Sequence, residues 1–87
     1  MVYNSSGKYR KVFVTSFNTS AMEALNIQDL VDCDVARYVC MSMEHAPTTG
    51  RIHYHLYIEF YSQKTMNTIK KILKDATANI QPARGTP

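Results

Sequence analysis

Alternation of apolar and polar side chains is strongest from Ile52 to Tyr61 (IHYHLYIEFY). Ile52, Tyr54, Leu56, Ile58 and Phe60 take one parity, and His53, His55, Tyr57, Glu59 and Tyr61 the other. A two-residue period is that of a strand with one buried face. Arg37 to Glu44 (RYVCMSME) alternates as well, with Val39, Met41 and Met43 against Tyr38, Cys40, Ser42 and Glu44. Between the two, His45 to Arg51 (HAPTTGR) carries Pro47 and Gly50 and predicts a hairpin loop. Tyr9 to Phe17 (YRKVFVTSF) mixes β-branched and aromatic residues without Gly or Pro, a third strand. Ala78 to Gln81 (ANIQ) predicts a short fourth strand before Pro82.

Two stretches change to helical spacing. Ala21 to Val31 places Ala21, Ala24, Leu25, Ile27, Leu30 and Val31 on one side, with Ser20 and Glu23 at capping-box spacing before it and Asp32 to Asp34 ending it. Ser62 to Ala76 turns Met66, Ile69, Ile72, Leu73 and Ala76 inward and its lysines outward. The order β-α-β-β-α-β predicts an α+β fold, a ferredoxin-like or RNA-recognition-motif-like antiparallel sheet with helices on one face.

The chain has 87 residues, enough for one modest core, and is read as a single domain over 1–87. At 45% hydrophobic and 20% charged, with three Gly and three Pro, it has a globular composition that disfavours disorder. No apolar run reaches the ~18–20 residues that span a bilayer, so a soluble, intracellular protein with reduced Cys33 and Cys40 is expected. The net charge of +3 comes from Lys8, Arg10, Lys11, Lys64, Lys70, Lys71, Lys74 and Arg84. It lends mild support to a polyanion partner, although charge alone favours an ordinary solvated surface.

Chemistry concentrates at the histidines. Residues two apart on a strand share a face, so His53 and His55 stand ~6.5–7 Å apart at Cα, within reach of one ion. Superposing the apolar faces of the two hairpin strands pairs Glu44 with His53, Ser42 with His55, Met43 with Tyr54 and Met41 with Leu56. Glu44 then lies ~4.5–5.5 Å from His53 at Cβ. Two imidazoles and a carboxylate without thiolate suit a divalent ion acting as a Lewis acid on phosphate. Mg²⁺ or Mn²⁺ fits this set, and two nitrogens favour Mn²⁺. Zinc fits less well, because Cys33 and Cys40 fall at no zinc-ribbon spacing with these histidines. His45, in the loop, is a weaker ligand candidate.

The segment His53-Tyr54-His55, followed by Leu56 to Phe60, resembles the histidine-hydrophobe-histidine motif of the HUH endonucleases. Within them it is most similar to the replication initiator (Rep) proteins of circular single-stranded DNA viruses such as circoviruses, nanoviruses and geminiviruses. Val12 to Asn18 (VFVTSFN) resembles their first motif, a strand that helps hold DNA. Glu44 corresponds to their acidic residue on the preceding strand, and ANIQPARGTP to the strand and turn leading to their last motif. The resemblance implies a metal-assisted nickase acting on a single-stranded or stem-loop DNA origin, which nicks and rejoins one strand through a covalent phosphotyrosine. Glu44, His53 and His55 would be its metal ligands. Lys8, Arg10, Lys11, Thr15, Asn18 and Arg84 are the expected DNA contacts, with Tyr57 or Tyr61 stacking bases and Tyr38 and Cys40 lining the same face. It also implies a host-nuclear location and an oligomer in the full-length parent protein.

The family's nucleophile lies in a Y-x-x-K motif on a helix beyond the segment matched by Ala83 to Pro87, so a C-terminal truncation without the nucleophile, unable to nick, is expected. Tyr61 and Lys64 match that spacing formally, but Tyr61 ends the metal strand whereas the family's tyrosine comes one strand later. Two other readings compete. A non-catalytic single-stranded nucleic-acid-binding module of the RNA-recognition type has the same element order and aromatic central strands but no use for a His-His-Glu set. A plasmid initiator or single-tyrosine transposase would share the histidines.

Overall fold

The computed structural model describes residues 7–83; Tyr3 and Arg84 lie outside the described residues. The elements are β1 (Lys8–Ser16), α1 (Thr19–Ala24), α2 (Ile27–Asp32), β2 (Ala36–His45), β3 (Ile52–Thr65), α3 (Met66–Leu73) and β4 (Asn79–Pro82). The strands form one sheet in the order β2-β3-β1-β4, with every neighbouring pair antiparallel. This is an α+β chain with a four-stranded antiparallel sheet and three helices, an arrangement compatible with the ferredoxin-like fold.

One parity of each central strand builds the core. Val12 and Val14 of β1, Tyr54, Leu56, Ile58 and Phe60 of β3, and Ile80 of β4 pack with Met22, Leu30, Met66, Ile69 and Leu73 from the helices. Burying side chains of this size is worth roughly 1.5–3 kcal/mol each. The helices therefore cover one face of the sheet. The other parity, including His53, His55, Tyr57 and Glu59, lies on the face the helices leave open.

The helices depart from the periodicity. In place of one helix over Ala21 to Val31 there are two, because Asn26 interrupts the run. Its side chain accepts from the backbone N–H groups of Gln28 and Asp29 and starts α2. The Ser20/Glu23 capping box is replaced by Asn18, whose Oδ1 accepts from the Ala21 N–H at 3.0 Å. Met22, absent from the expected stripe, is the buried residue of α1, and Ala24 is exposed. Asp34 ends α2 in the left-handed region at φ 60°, which Asp tolerates better than most residues.

The helix expected over Ser62 to Ala76 is shorter at both ends. Residues 62–65 continue β3, where Thr65 and Lys64 pair with Lys8 and Tyr9, and the Thr65 hydroxyl then caps α3 by accepting from the Thr68 N–H at 3.2 Å. At the other end Lys74 turns left-handed at φ 58° while its N–H bonds the Lys70 and Lys71 carbonyls. Ala76, placed inward by the pattern, is exposed.

The turn after α3 buries a charge. Asp75 is 3% exposed and Ser16 1%. Ser16 Oγ donates a short hydrogen bond to Asp75 Oδ2, and Asp75 Oδ1 accepts from the Thr77 N–H at 2.9 Å and from Thr77 Oγ1 at 2.6 Å. The Asn18 N–H also donates to Ser16 Oγ, at 3.1 Å. One carboxylate thus ties the α3–β4 turn to the end of β1 and the start of α1. Burial by itself would raise the Asp75 pKa. The hydrogen bonds from Ser16 and Thr77 outweigh it and hold the carboxyl below its ordinary value of 3.8.

Asp75→Asn is therefore expected to destabilise the fold by about 2 kcal/mol at neutral pH, as a charged acceptor is lost from buried donors. Because the folded pKa is the lowered one, this contribution is present above the unfolded carboxylate range and disappears as pH falls through the folded value. Urea unfolding from about pH 5 to about pH 2 should show wild-type stability falling more steeply than that of the variant. Parallel curves would exclude Asp75 as the group responsible.

Candidate metal centre

β2 and β3 close around the loop from Ala46 to Arg51, where the Ala46 N–H bonds the Arg51 carbonyl at 2.9 Å and the Gly50 N–H the Ala46 carbonyl at 2.8 Å. Gly50 sits at φ 69°, a conformation that favours glycine. The resulting register pairs Glu44 with His53, Met43 with Tyr54, Ser42 with His55 and Met41 with Leu56, as the face-matching argument requires.

The register brings three ligand atoms together. His53 Nε2 and His55 Nε2 are 3.1 Å apart, and Glu44 Oε1 lies 3.6 Å from the first and 3.5 Å from the second. Three ligands bound to one side of an ion at ~2.0–2.2 Å stand ~3.0–3.4 Å apart, so these spacings fit a single cation. Among the described residues this is the group of His, Cys, Asp and Glu side chains able to hold a metal. The His53 side chain is 15% exposed, that of His55 44% and that of Glu44 59%, so the site deepens from carboxylate to imidazole and opens to solvent.

Its surroundings come from β1, which pairs with β3 on the side away from β2. Thr15 is the cross-strand partner of His55, and its Oγ1 lies 3.4 Å from His55 Nδ1. A partner on the far nitrogen fixes ring orientation and leaves Nε2 free to ligate. Phe17 packs its ring 5.4 Å from that of His53, and the Arg51 guanidinium stacks over Phe17 at 4.3 Å. His53 Nδ1 is buried without a hydrogen-bond partner. Sequence reasoning did not single out Phe17 or Arg51 for the site. Arg51 has the parity of the histidines but belongs to the predicted loop, and only the sheet order sets Phe17 against His53.

The remaining expected residues scatter. Tyr57 is two residues from His55 on the same face, and its phenol donates to Glu59 Oε2 at 2.7 Å. That bond, with some desolvation, pushes the Tyr57 pKa up to about 12. Lys11 pairs with Glu59 further along the sheet. Lys8 and Arg10 are exposed but lie toward the start of β1, roughly 23 and 17 Å along the strand from Thr15, the partner of His55. Asn18 is engaged as the α1 cap. His45 ends β2 opposite Ile52, on the parity opposite to Glu44, and does not join the cluster. Lys70, Lys71 and Lys74 belong to the α3 end of the molecule, on the helix side of the sheet. Comparison with protein families, curated proteins and solved structures finds no match to this chain.

Saturating Mn²⁺ at about a hundred times its Kd should stabilise the fold by about 2.7 kcal/mol, a rise in Tm on the order of 10 °C for a domain of this size. His53→Ala with His55→Ala should abolish the rise, and Thr15→Val should weaken Mn²⁺ affinity about tenfold. A Tm in the parent protein that ignores Mn²⁺ and Mg²⁺ would rule the centre out.

Proposed function

We propose that this chain is a DNA-processing domain of the replication-initiator type. It binds single-stranded or stem-loop DNA across the open face of its sheet and presents one phosphate to a Mn²⁺ or Mg²⁺ ion held by Glu44, His53 and His55, for nicking and rejoining of that strand. The observation that supports this best is the convergence of the three ligand atoms within 3.6 Å on a sheet face that the helices leave uncovered. A bound divalent ion would polarise a phosphate ester and neutralise its developing charge.

The chain's own groups bind and orient. Arg51, exposed at the rim over Phe17, offers a cation to a neighbouring phosphate, and Phe17 walls the histidines from the side. Thr15 holds the His55 ring. None of Tyr54, Tyr57 and Tyr61 suits the role of nucleophile. Tyr54 is buried on the helix side, and Tyr57 is a neutral phenol committed to Glu59. Tyr61 lies six residues beyond His55, roughly 20 Å along the strand. These residues are thus proposed to bind and position DNA without cutting it. No helix among the described residues is long and apolar enough to cross a membrane, and a viral initiator would act in the host nucleus.

A second reading, a non-catalytic module of the RNA-recognition type, is favoured by the exposed aromatic residues on the same face. Titration of a fluorescent DNA stem-loop separates the two. The initiator reading expects tighter binding with Mn²⁺ than with EDTA, loss of that increment in the His53→Ala/His55→Ala variant, and no cleavage by these 87 residues. Binding that ignores both metal and histidines, with RNA preferred to DNA, would overturn it in favour of the module. Robust nicking would return Tyr61 to consideration as the nucleophile.

A further inference from the structure

Beside the metal centre the open face carries an aromatic patch with an acid in it. The Phe13 ring lies 5.1 Å from that of Tyr57 and the Tyr38 ring 6.0 Å from it on the other side, so three strands contribute one ring each. Phe13 is 55% exposed and Tyr38 51%. An apolar side chain as large as Phe13, left in water between buried Val12 and Val14, marks a contact surface better than a core. Its occupant has to match a carboxylate as well as rings. Glu59 Oε2 accepts from the Tyr57 phenol, and Oε1 faces Arg37 Nε at 3.6 Å. Arg37 reaches this spot because the register shifts between Ala36 and Tyr38, a bulge that turns two successive side chains toward one face.

A phosphate over Glu59 would be repelled, whereas a nucleobase edge bearing N–H donors would be held. Each carboxylate oxygen has two acceptor positions; the Tyr57 phenol takes one on Oε2, while Oε1 is ion-paired with Arg37 at longer than hydrogen-bond distance. Each oxygen thus keeps an open acceptor position, and together they call for two adjacent donors. Among the DNA bases guanine alone offers such a pair, N1–H beside N2–H, with O6 next to them as an acceptor for the Arg37 guanidinium. We propose that Phe13, Tyr38 and Tyr57 stack a base of the bound strand and that Glu59, flanked by Arg37, selects guanine there. The proposal rests on single-stranded DNA crossing this face. It adds a specificity-determining site about one nucleotide step from the metal, since Tyr57 is ~7 Å along β3 from His55.

The test is fluorescence anisotropy with thymidine oligonucleotides of about twelve bases, each carrying one central guanine, cytosine, adenine or thymine. The guanine oligonucleotide should bind about tenfold tighter than the others, as a bidentate pair confers. Glu59→Gln should cut the ratio of guanine to all-thymidine affinity to about twofold or less, and Phe13→Ala should weaken every oligonucleotide about tenfold. A guanine preference that survives Glu59→Gln, a preference for another base, or no preference at all overturns the site. If binding remains metal- and histidine-dependent in that case, the initiator reading stands. Absence of single-strand binding would overturn both.

Discussion

The open face depends on the pleat of β3. Because Tyr54, Leu56, Ile58 and Phe60 are buried against the helices, the residues between them have no choice of side: His53, His55, Tyr57 and Glu59 must face away from the core. A slip of one residue would bury two imidazoles and a carboxylate and expose four large apolar groups. The hydrophobic energy that forms the core thereby also aims the ligands. β2 is held by the same constraint, which is why Glu44 meets His53 across the hairpin.

Along this face the chemistry is graded. At the hairpin end stand the three candidate ligands, backed by Thr15 and flanked by Phe17 and Arg51. Further along β3 come the rings of Phe13, Tyr57 and Tyr38 around Glu59. A cation and the candidate ligands at one end suit phosphate, and aromatic groups with an acceptor at the other suit a base. The helix side carries the lysines of α3 and the buried Asp75 cluster, which braces the end of β1. That brace matters to the open face because Ser16, which it holds, lies between Thr15 and Phe17.

The hairpin was legible in detail because both of its strands alternate over eight or more residues and have one buried face. The helices were less so. Asn18 and Asn26 outcompeted the expected cap and the expected continuity by bonding nearby N–H groups with their side chains, a local contest that apolar spacing does not register. At Thr65 the competition was tertiary: pairing with Lys8 extended β3 into residues whose spacing had suggested helix.

By itself the sequence determined the two faces of β2 and β3, their register and the meeting of Glu44, His53 and His55. Period and burial are local properties that one strand displays in full. Only the tertiary structure decided what stands beside them. Inserting β1 between β3 and β4 set Thr15 against His55, Phe17 against His53 and Phe13 against Tyr57. Strand order follows from how the helices cross over the sheet, a long-range outcome of packing that alternation along β1 does not encode. The burial of Asp75 has the same origin, since its partner Ser16 lies 59 residues away in the chain.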